Sequence, residues 1–246
     1  MKYRASFSLQ GINGCAIIVK NTEEEGPMNI LFGVLYALTG LIIGYYIPCF
    51  SFMVMEYKKG KGNVIKKYEL LYSKLFRFML CVFNGVFWYL ASMKMDIIFS
   101  AILVGIMISL GLIIAFIDIN IRIIPNELVL IMMVVGLIFQ VSTYGFKSLI
   151  PSLISMVVMM TVFISVAGFV GFGKVGAGDV KLAAAMGLSL GYPTITIAVI
   201  IMAVVLIIFI AAGLLFKKIY MTTMLPLAPF MIAGYIGSLL LSLRIF

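Results

Sequence analysis

The sequence predicts an all-α polytopic membrane protein with about seven to eight transmembrane helices. Of its 246 residues, 64% are hydrophobic and only 11% are charged, and the mean hydropathy is +1.22. A typical soluble domain is much less apolar and carries about twice this share of charge. Apolar runs that approach the roughly 20 residues needed to cross a bilayer occupy most of the chain after residue 28.

The distribution of polar residues divides the chain into three segments. Residues 1–28 are a polar N-terminal tail without the apolar centre of a secretory signal peptide, and a natural start at Met28 is the alternative interpretation. Residues 29–95 contain the N-terminal transmembrane segments, which enclose a basic loop at 56–77. Residues 96–246 form a second transmembrane domain.

The basic loop predicts the orientation in the membrane. It contains seven basic residues and two acidic ones, and loops with an excess of Lys and Arg stay in the cytoplasm. The amino terminus is therefore expected outside. The formal net charge of +9 is interpreted in the same way, because the basic residues cluster in turns between apolar runs. It does not indicate a nucleic-acid partner.

Several kinds of catalytic or metal site are excluded by composition. The chain contains no histidine, and its three cysteines, at positions 15, 49 and 81, form no CxxC pair. A thiolate or imidazole zinc site therefore has no ligands. A Ser/His or Cys/His nucleophile is excluded as well, which leaves acid/base chemistry to carboxylates.

The three aspartates of the chain are Asp96, Asp118 and Asp179. Asp96 falls in an outer turn and is interpreted as a solvated residue. Asp118 and Asp179 stand where an apolar run meets a polar turn on the cytoplasmic side, and ionisable residues at this depth indicate a functional site. They are 61 residues apart, so the fold must bring them together. The sequence predicts that they form one catalytic pair.

An aspartate pair that shares one proton supplies both the base and the acid that hydrolysis of a peptide bond needs. Asp179 is expected to begin a helix, where N–H groups favour a carboxylate, whereas Asp118 is expected to end one. We therefore expect Asp118 to hold the shared proton and Asp179 to act as the base. The pair should titrate as a unit.

Five residues near the aspartates are candidates for a supporting role: Gly176, Gly178, Pro125, Asn126 and Lys181. Gly176 and Gly178 leave the backbone exposed, so an extended substrate segment could lie against this turn; a flexible bend is the structural alternative. Pro125 stops a continuing helix, and Asn126 is a suitable N-cap for the next one.

Two alternatives explain the aspartates without proteolysis. In the first, they cap helices at the membrane edge and pair with nearby cations, Asp118 with Arg122 and Asp179 with Lys181. In the second, they carry protons or ions in a transporter. The sequence shows neither an inverted repeat nor paired broken helices that would support a transporter.

Three motifs follow one another within residues 100–240. They are Asp118 followed by Ile124-Pro125-Asn126, then Gly176-Ala-Gly-Asp179-Val-Lys-Leu-Ala-Ala-Ala-Met-Gly187, then Leu225-Pro226-Leu-Ala-Pro229-Phe230. Gly-x-Gly-Asp alone is a weak signal. The ordered set closely resembles the type IV prepilin peptidases, a family of GxGD-type aspartic membrane proteases. The run Gly40-Leu-Ile-Ile-Gly44 is interpreted as helix packing, and with the residues up to Phe50 it is similar to a degraded form of the family's amino-terminal segment.

The resemblance implies a function. Such enzymes remove the basic leader of prepilins or pseudopilins at the cytoplasmic face, just after a glycine, and Asp118 and Asp179 match the family's catalytic pair. The expected location is the bacterial inner membrane, with precursor peptides and lipid as partners. A preflagellin peptidase of the archaeal kind is the alternative within proteolysis, and a non-enzymatic transporter or assembly component is the alternative outside it.

The resemblance also bears on cofactors. Many bacterial members methylate the new amino terminus with S-adenosylmethionine and carry a four-cysteine zinc loop after the first span. This chain lacks those cysteines, because residues 56–77 are basic instead. Zinc is therefore not expected, proteolysis itself needs no cofactor, and methylation is left open.

Overall fold

The computed structural model describes residues 27–59, 74–95, 97–170, 176–216 and 226–242. In these ranges the chain is helical and contains no strand. The helices are α1 (Pro27–Lys59), α2 (Lys74–Lys94), α3 (Ile98–Ile121), α4 (Asn126–Tyr144), α5 (Leu149–Val170), α6 (Ala177–Leu190), α7 (Thr194–Leu215) and α8 (Ala228–Ser242), with one turn of 3-10 helix at Phe146–Ser148. Most of the polar tail, most of the basic loop and Asp96 lie outside the described residues.

The predicted class, an all-α polytopic membrane protein, is confirmed. Six of the described helices, α1 to α5 and α7, are long and apolar enough to cross a membrane. The other two are shorter, with 14 residues in α6 and 15 in α8. Helices of that length fall short of the roughly 20 residues that span the hydrocarbon.

Two helices form the interior of the bundle. α3 is buried along most of its length and packs against α1, α2, α4 and α8. α6 packs mainly between α4 and α5, and every residue from 182 to 190 is buried. Because protein covers α6 in this way, neighbouring helices rather than lipid set the position of its first turn.

The amino-terminal helices α1 and α2 approach each other closely at glycines. A Cβ atom added to Gly40 would lie 2.7 Å from the side chain of Trp88, and one added to Gly44 would lie 2.8 Å from the Cα of Cys81. Small residues at such spacing let helix backbones come together in a membrane. The interpretation of this glycine pair as a packing feature is confirmed.

The start of α4 differs from the prediction in one detail. Pro125 is the N-cap, with extended backbone angles of φ −66° and ψ 126°, and Asn126 is the first helical residue. The carbonyl of Pro125 accepts the N–H of Val129 at 3.2 Å, and no side chain caps the helix. The assignment of Asn126 as N-cap was therefore wrong, because the fixed φ of proline already suits the capping position.

Candidate active site

Asp118 lies in the last turn of α3 and is only 5% exposed. Its Oδ2 accepts a hydrogen bond of 3.2 Å from the backbone N–H of Ala228, 110 residues further along the chain. Ala228 is the first residue of α8, and the first N–H groups of a helix have no partner within the helix. The carboxylate of Asp118 thus joins the end of α3 to the start of α8.

Asp179 lies in the first turn of α6 and is half-buried. The sequence had suggested that this helix begins at Asp179, but it begins at Ala177, and Gly176 is its N-cap. The Oδ2 of Asp179 accepts the Gly176 N–H at 3.1 Å, and the Asp179 N–H donates to the Gly176 carbonyl at 3.0 Å. This is the carboxylate half of a capping box, since glycine has no side chain for the other half.

The fold brings the two carboxylates to a common place. They are close enough for the charge on Asp179 to act on Asp118. The two turns that carry them are also in contact, because a Cβ added to Gly178 would lie 2.9 Å from the Cβ of Ile124. The candidate site is therefore the meeting point of the end of α3, the start of α6 and the start of α8.

The electrostatics of Asp179 are set by burial. Asp179 belongs to α6, which is not one of the six candidate membrane spans. Burial raises the pKa of the Asp179 carboxyl, and the hydrogen bond from the Gly176 N–H acts in the opposite direction. Burial is the larger of the two effects, so the folded protein favours the proton on this group more than water does.

The ends of the helices no longer indicate which of the two aspartates holds the shared proton. Asp118 does lie at the C-terminal end of α3, but its carboxylate also meets the N-terminal end of α8. The two helix ends act on it in opposite senses. That Asp118 holds the proton and Asp179 is the base stays a prediction.

The nearby cations do not pair with the aspartates. Within the described part of the chain, neither Arg122 nor Lys181 forms an ion pair with Asp118 or Asp179. Arg122 has a left-handed φ of 54° and donates its backbone N–H to the Asp118 carbonyl at 2.8 Å. The Lys181 Nζ donates to the Oδ1 of Asn126 at 3.0 Å. The charge of Arg122 does act on Asp118, and both carboxylates accept N–H groups at helix starts. The alternative is therefore supported in its capping part and not in its ion pairs.

One contributor to the site, Ala228, was not singled out from the sequence. It acts through its backbone N–H, which every residue except proline possesses, so its side chain carries no signal. The available signal was the motif Leu225-Pro226-Leu-Ala-Pro229-Phe230. Pro229 occupies the second position of α8, in the first turn where proline is tolerated, and such a residue indicates a helix start.

The described residues can also be compared with the side chains that a metal ion needs. Among the described residues, no three His, Cys, Asp or Glu side chains are grouped so that they could hold a metal ion. That zinc is not needed, and that methylation with S-adenosylmethionine is open, stay predictions.

Comparison with known proteins adds an independent observation. The model of the type IV leader peptidase family matches residues 105–216. This segment contains both Asp118 and Asp179, together with the turns that bring them together, whereas α8 lies beyond it. No curated protein and no solved structure matches the chain. Over residues 105–216, the chain is similar to the type IV leader peptidase family.

Proposed function

We propose that the chain is a membrane aspartic endopeptidase whose catalytic residues are Asp118 and Asp179. The observation that carries the proposal is their convergence. Two aspartates of a leader peptidase segment, 61 residues apart in sequence, lie within electrostatic reach of each other at three helix ends. A pair of this kind is able to hold one proton and to act as acid and base at once.

The chemistry follows from the two carboxyl groups. The ionised carboxylate removes a proton from water as the water attacks the scissile carbonyl, and the protonated partner donates a proton to the carbonyl oxygen or to the leaving amine. Each carboxyl group also has a fixed backbone donor, Gly176 for Asp179 and Ala228 for Asp118. These hydrogen bonds orient the two groups before substrate arrives, and positioning of this kind lowers the barrier.

The proposed substrates are prepilin or pseudopilin precursors. The family match supports a leader peptide as substrate, and the ends of α3 and α6 are where such a leader would leave the membrane. We place this end of the bundle in the cytoplasm and the amino terminus outside, in the bacterial inner membrane. The excess of basic residues in the loop 56–77 supports that orientation.

Proteolysis by two aspartates requires no metal or cofactor. Methylation of the new amino terminus is a separate reaction that needs S-adenosylmethionine. We expect any such activity to survive loss of the aspartates, because the methyl transfer does not use their shared proton. Mass spectrometry of a precut peptide incubated with S-adenosylmethionine measures it directly.

The test is cleavage of a prepilin-like precursor by the purified protein in detergent or lipid. We expect one cut, after the glycine that precedes the hydrophobic helix, identified by mass spectrometry of the products. Asp118→Asn and Asp179→Asn should each lower the rate by about 100-fold or more, since each removes half of an acid/base pair.

Asp96→Asn is the matched control, because Asp96 is the third aspartate of the chain and is predicted on the outer face. It should cut at the parental rate. Cleavage of a preflagellin but not of a prepilin would support the proposed peptidase activity but show that the substrate is a preflagellin. Parental cleavage by either Asp118→Asn or Asp179→Asn would exclude the proposed mechanism.

A further inference from the structure

A second contact, beside the aspartates, joins the helices that carry the site. The Lys181 Nζ donates a hydrogen bond of 3.0 Å to the Oδ1 of Asn126. Lys181 follows Asp179 by two residues on α6, and Asn126 is the first residue of α4, directly after the turn that leaves Asp118. The contact therefore ties the helix of one aspartate to the turn of the other.

The direction of the Lys181 side chain follows from helix geometry. Residues i and i+2 of a helix do not face each other, so Lys181 points away from Asp179. It reaches instead to the neighbouring helix end, where the side-chain oxygen of Asn126 accepts a hydrogen bond from its ammonium group. A charged donor makes this hydrogen bond stronger than one between neutral groups.

The same helix ends also pack directly. Gly178 lies against Ile124, so closely that a Cβ atom at residue 178 would be 2.9 Å from the Ile124 Cβ. This contact resists closer approach of α6 to the turn after Asp118. The bond between Lys181 and Asn126 resists separation of the same two elements. Together, one contact from each side fixes the spacing.

We propose that Lys181 is a positioning residue, whose ammonium group holds the start of α6 against the turn after Asp118 and so fixes the separation of the two carboxyl groups. The inference rests on the proposed aspartic peptidase. Lys181 itself contacts neither carboxyl group. It affects the reaction only by its hydrogen bond to Asn126.

The chain contains a matched control contact at the next residue of α4. The Lys58 Nζ lies 2.7 Å from the Oε1 of Glu127, and the Glu127 side chain is 60% exposed. This ion pair is at the same end of α4, but it joins α4 to α1 and not to α6. Breaking it removes an equally peripheral contact without releasing the helix of Asp179.

The experiment compares steady-state cleavage of the precursor by Lys181→Met, Asn126→Ala and the double variant. Each single change should lower kcat about 10-fold with KM within about twofold, because misplaced catalytic groups slow the chemical step. The double variant should be no slower than either single one, since both remove one contact. Lys181→Arg should recover most of kcat, and Lys58→Met and Glu127→Gln should keep it.

Three results for kcat would overturn the proposal, and one for KM. The three are a parental kcat for Lys181→Met, a double variant whose loss equals the product of the single losses, and an equal loss in Lys58→Met. A change confined to KM would also contradict it, because it would place Lys181 in substrate binding.

A readout without substrate separates this proposal from the proposed function. In a chain whose three cysteines are replaced by serine, Asn126→Cys with Lys181→Cys should be bridged by a short dithiol reagent, measured as loss of both free thiols. Lys147→Cys with Lys181→Cys should not be bridged, because Lys181 on α6 contacts the first residue of α4 whereas Lys147 lies beyond the last. Efficient bridging in a chain that never cleaves a precursor would leave the contact standing and the function excluded. Absence of bridging would exclude the contact itself.

Discussion

The two aspartates are held in place in different ways. Asp179 is fixed locally, by the N-cap of its own helix three residues away, and is half-buried. Asp118 is fixed by a helix that starts 110 residues later and is only 5% exposed. One carboxyl group therefore depends on local sequence, whereas the other depends on the tertiary fold. The following predictions test this difference.

The largest expected difference is the response to one added methylene. Asp118→Glu should lower cleavage about 100-fold, because a buried side chain held by a distant donor has no room for a longer arm. Asp179→Glu should lower it only about 10-fold, because glutamate at the third helical position still reaches back to the N-cap N–H. The measurement is the cleavage rate of each variant relative to the parent. Equal losses of rate would show that the environments of the two aspartates do not differ.

The next effect concerns the donor to Asp118. Ala228→Pro removes that N–H, while proline at the first position of a helix remains compatible with α8. We expect about a 10-fold lower kcat, since leaving the buried acceptor of Asp118 without its donor costs about 1–3 kcal/mol. Ala228→Gly retains the N–H and should stay within about threefold of the parent. Equal rates for the proline and glycine variants would remove Ala228 from the site.

A smaller effect is expected from the two glycines of the GxGD turn. A Cβ on Gly178 would meet the Ile124 Cβ at 2.9 Å, so Gly178→Ala must push α6 away from the turn after Asp118. A Cβ on Gly176 would meet the Asp179 Oδ2 at 3.2 Å, the end of a side chain that can adjust. We expect Gly178→Ala to lose about 5–10-fold in rate and Gly176→Ala less. The reverse order would contradict the proposed packing.

The smallest effect is on stability. Burial raises the pKa of Asp179, so the stability linked to its protonated form is present below the unfolded pKa and is lost as pH rises through the higher folded pKa. Asp179→Asn keeps an acceptor for the Gly176 N–H but cannot ionise. It should unfold at a slightly higher temperature than the parent at about pH 8, and the difference should vanish near pH 3. If the unfolding temperatures differed by the same amount at every pH in that range, burial would not raise the pKa of Asp179.

The membrane class and the positions of the helices could be predicted because apolar runs and turns are local features. That Asp118 and Asp179 lie near each other could also be predicted, since few acidic residues occur at the membrane edge; that they form a catalytic pair stays a prediction. The hydrogen-bond donor to Asp118 could not be predicted, because it is the backbone N–H of Ala228 and every residue except proline has such a group. Asn126 was expected as an N-cap from its own preference, but Pro125 holds that position and Asn126 meets Lys181 instead.

The difference between the two aspartates matters because the proposed reaction centre, built from a local and a distant element, would exist only in the folded protein. The distance between residues 118 and 179 is therefore the most direct test of the proposed pair. In the chain without native cysteines, Asp118→Cys with Asp179→Cys is treated with short dithiol reagents, and Lys147→Cys with Asp179→Cys serves as the control pair. Lys147 lies beyond the far end of α4, a helix of 19 residues and so about 28 Å long.

We predict rapid bridging of the 118/179 pair by reagents that span about 5 Å, comparable to the reach of two opposed side chains. The control pair should stay unbridged. Bridging of the 118/179 pair no faster than the control pair, in protein that remains folded, would show that the two carboxyl groups do not form one site.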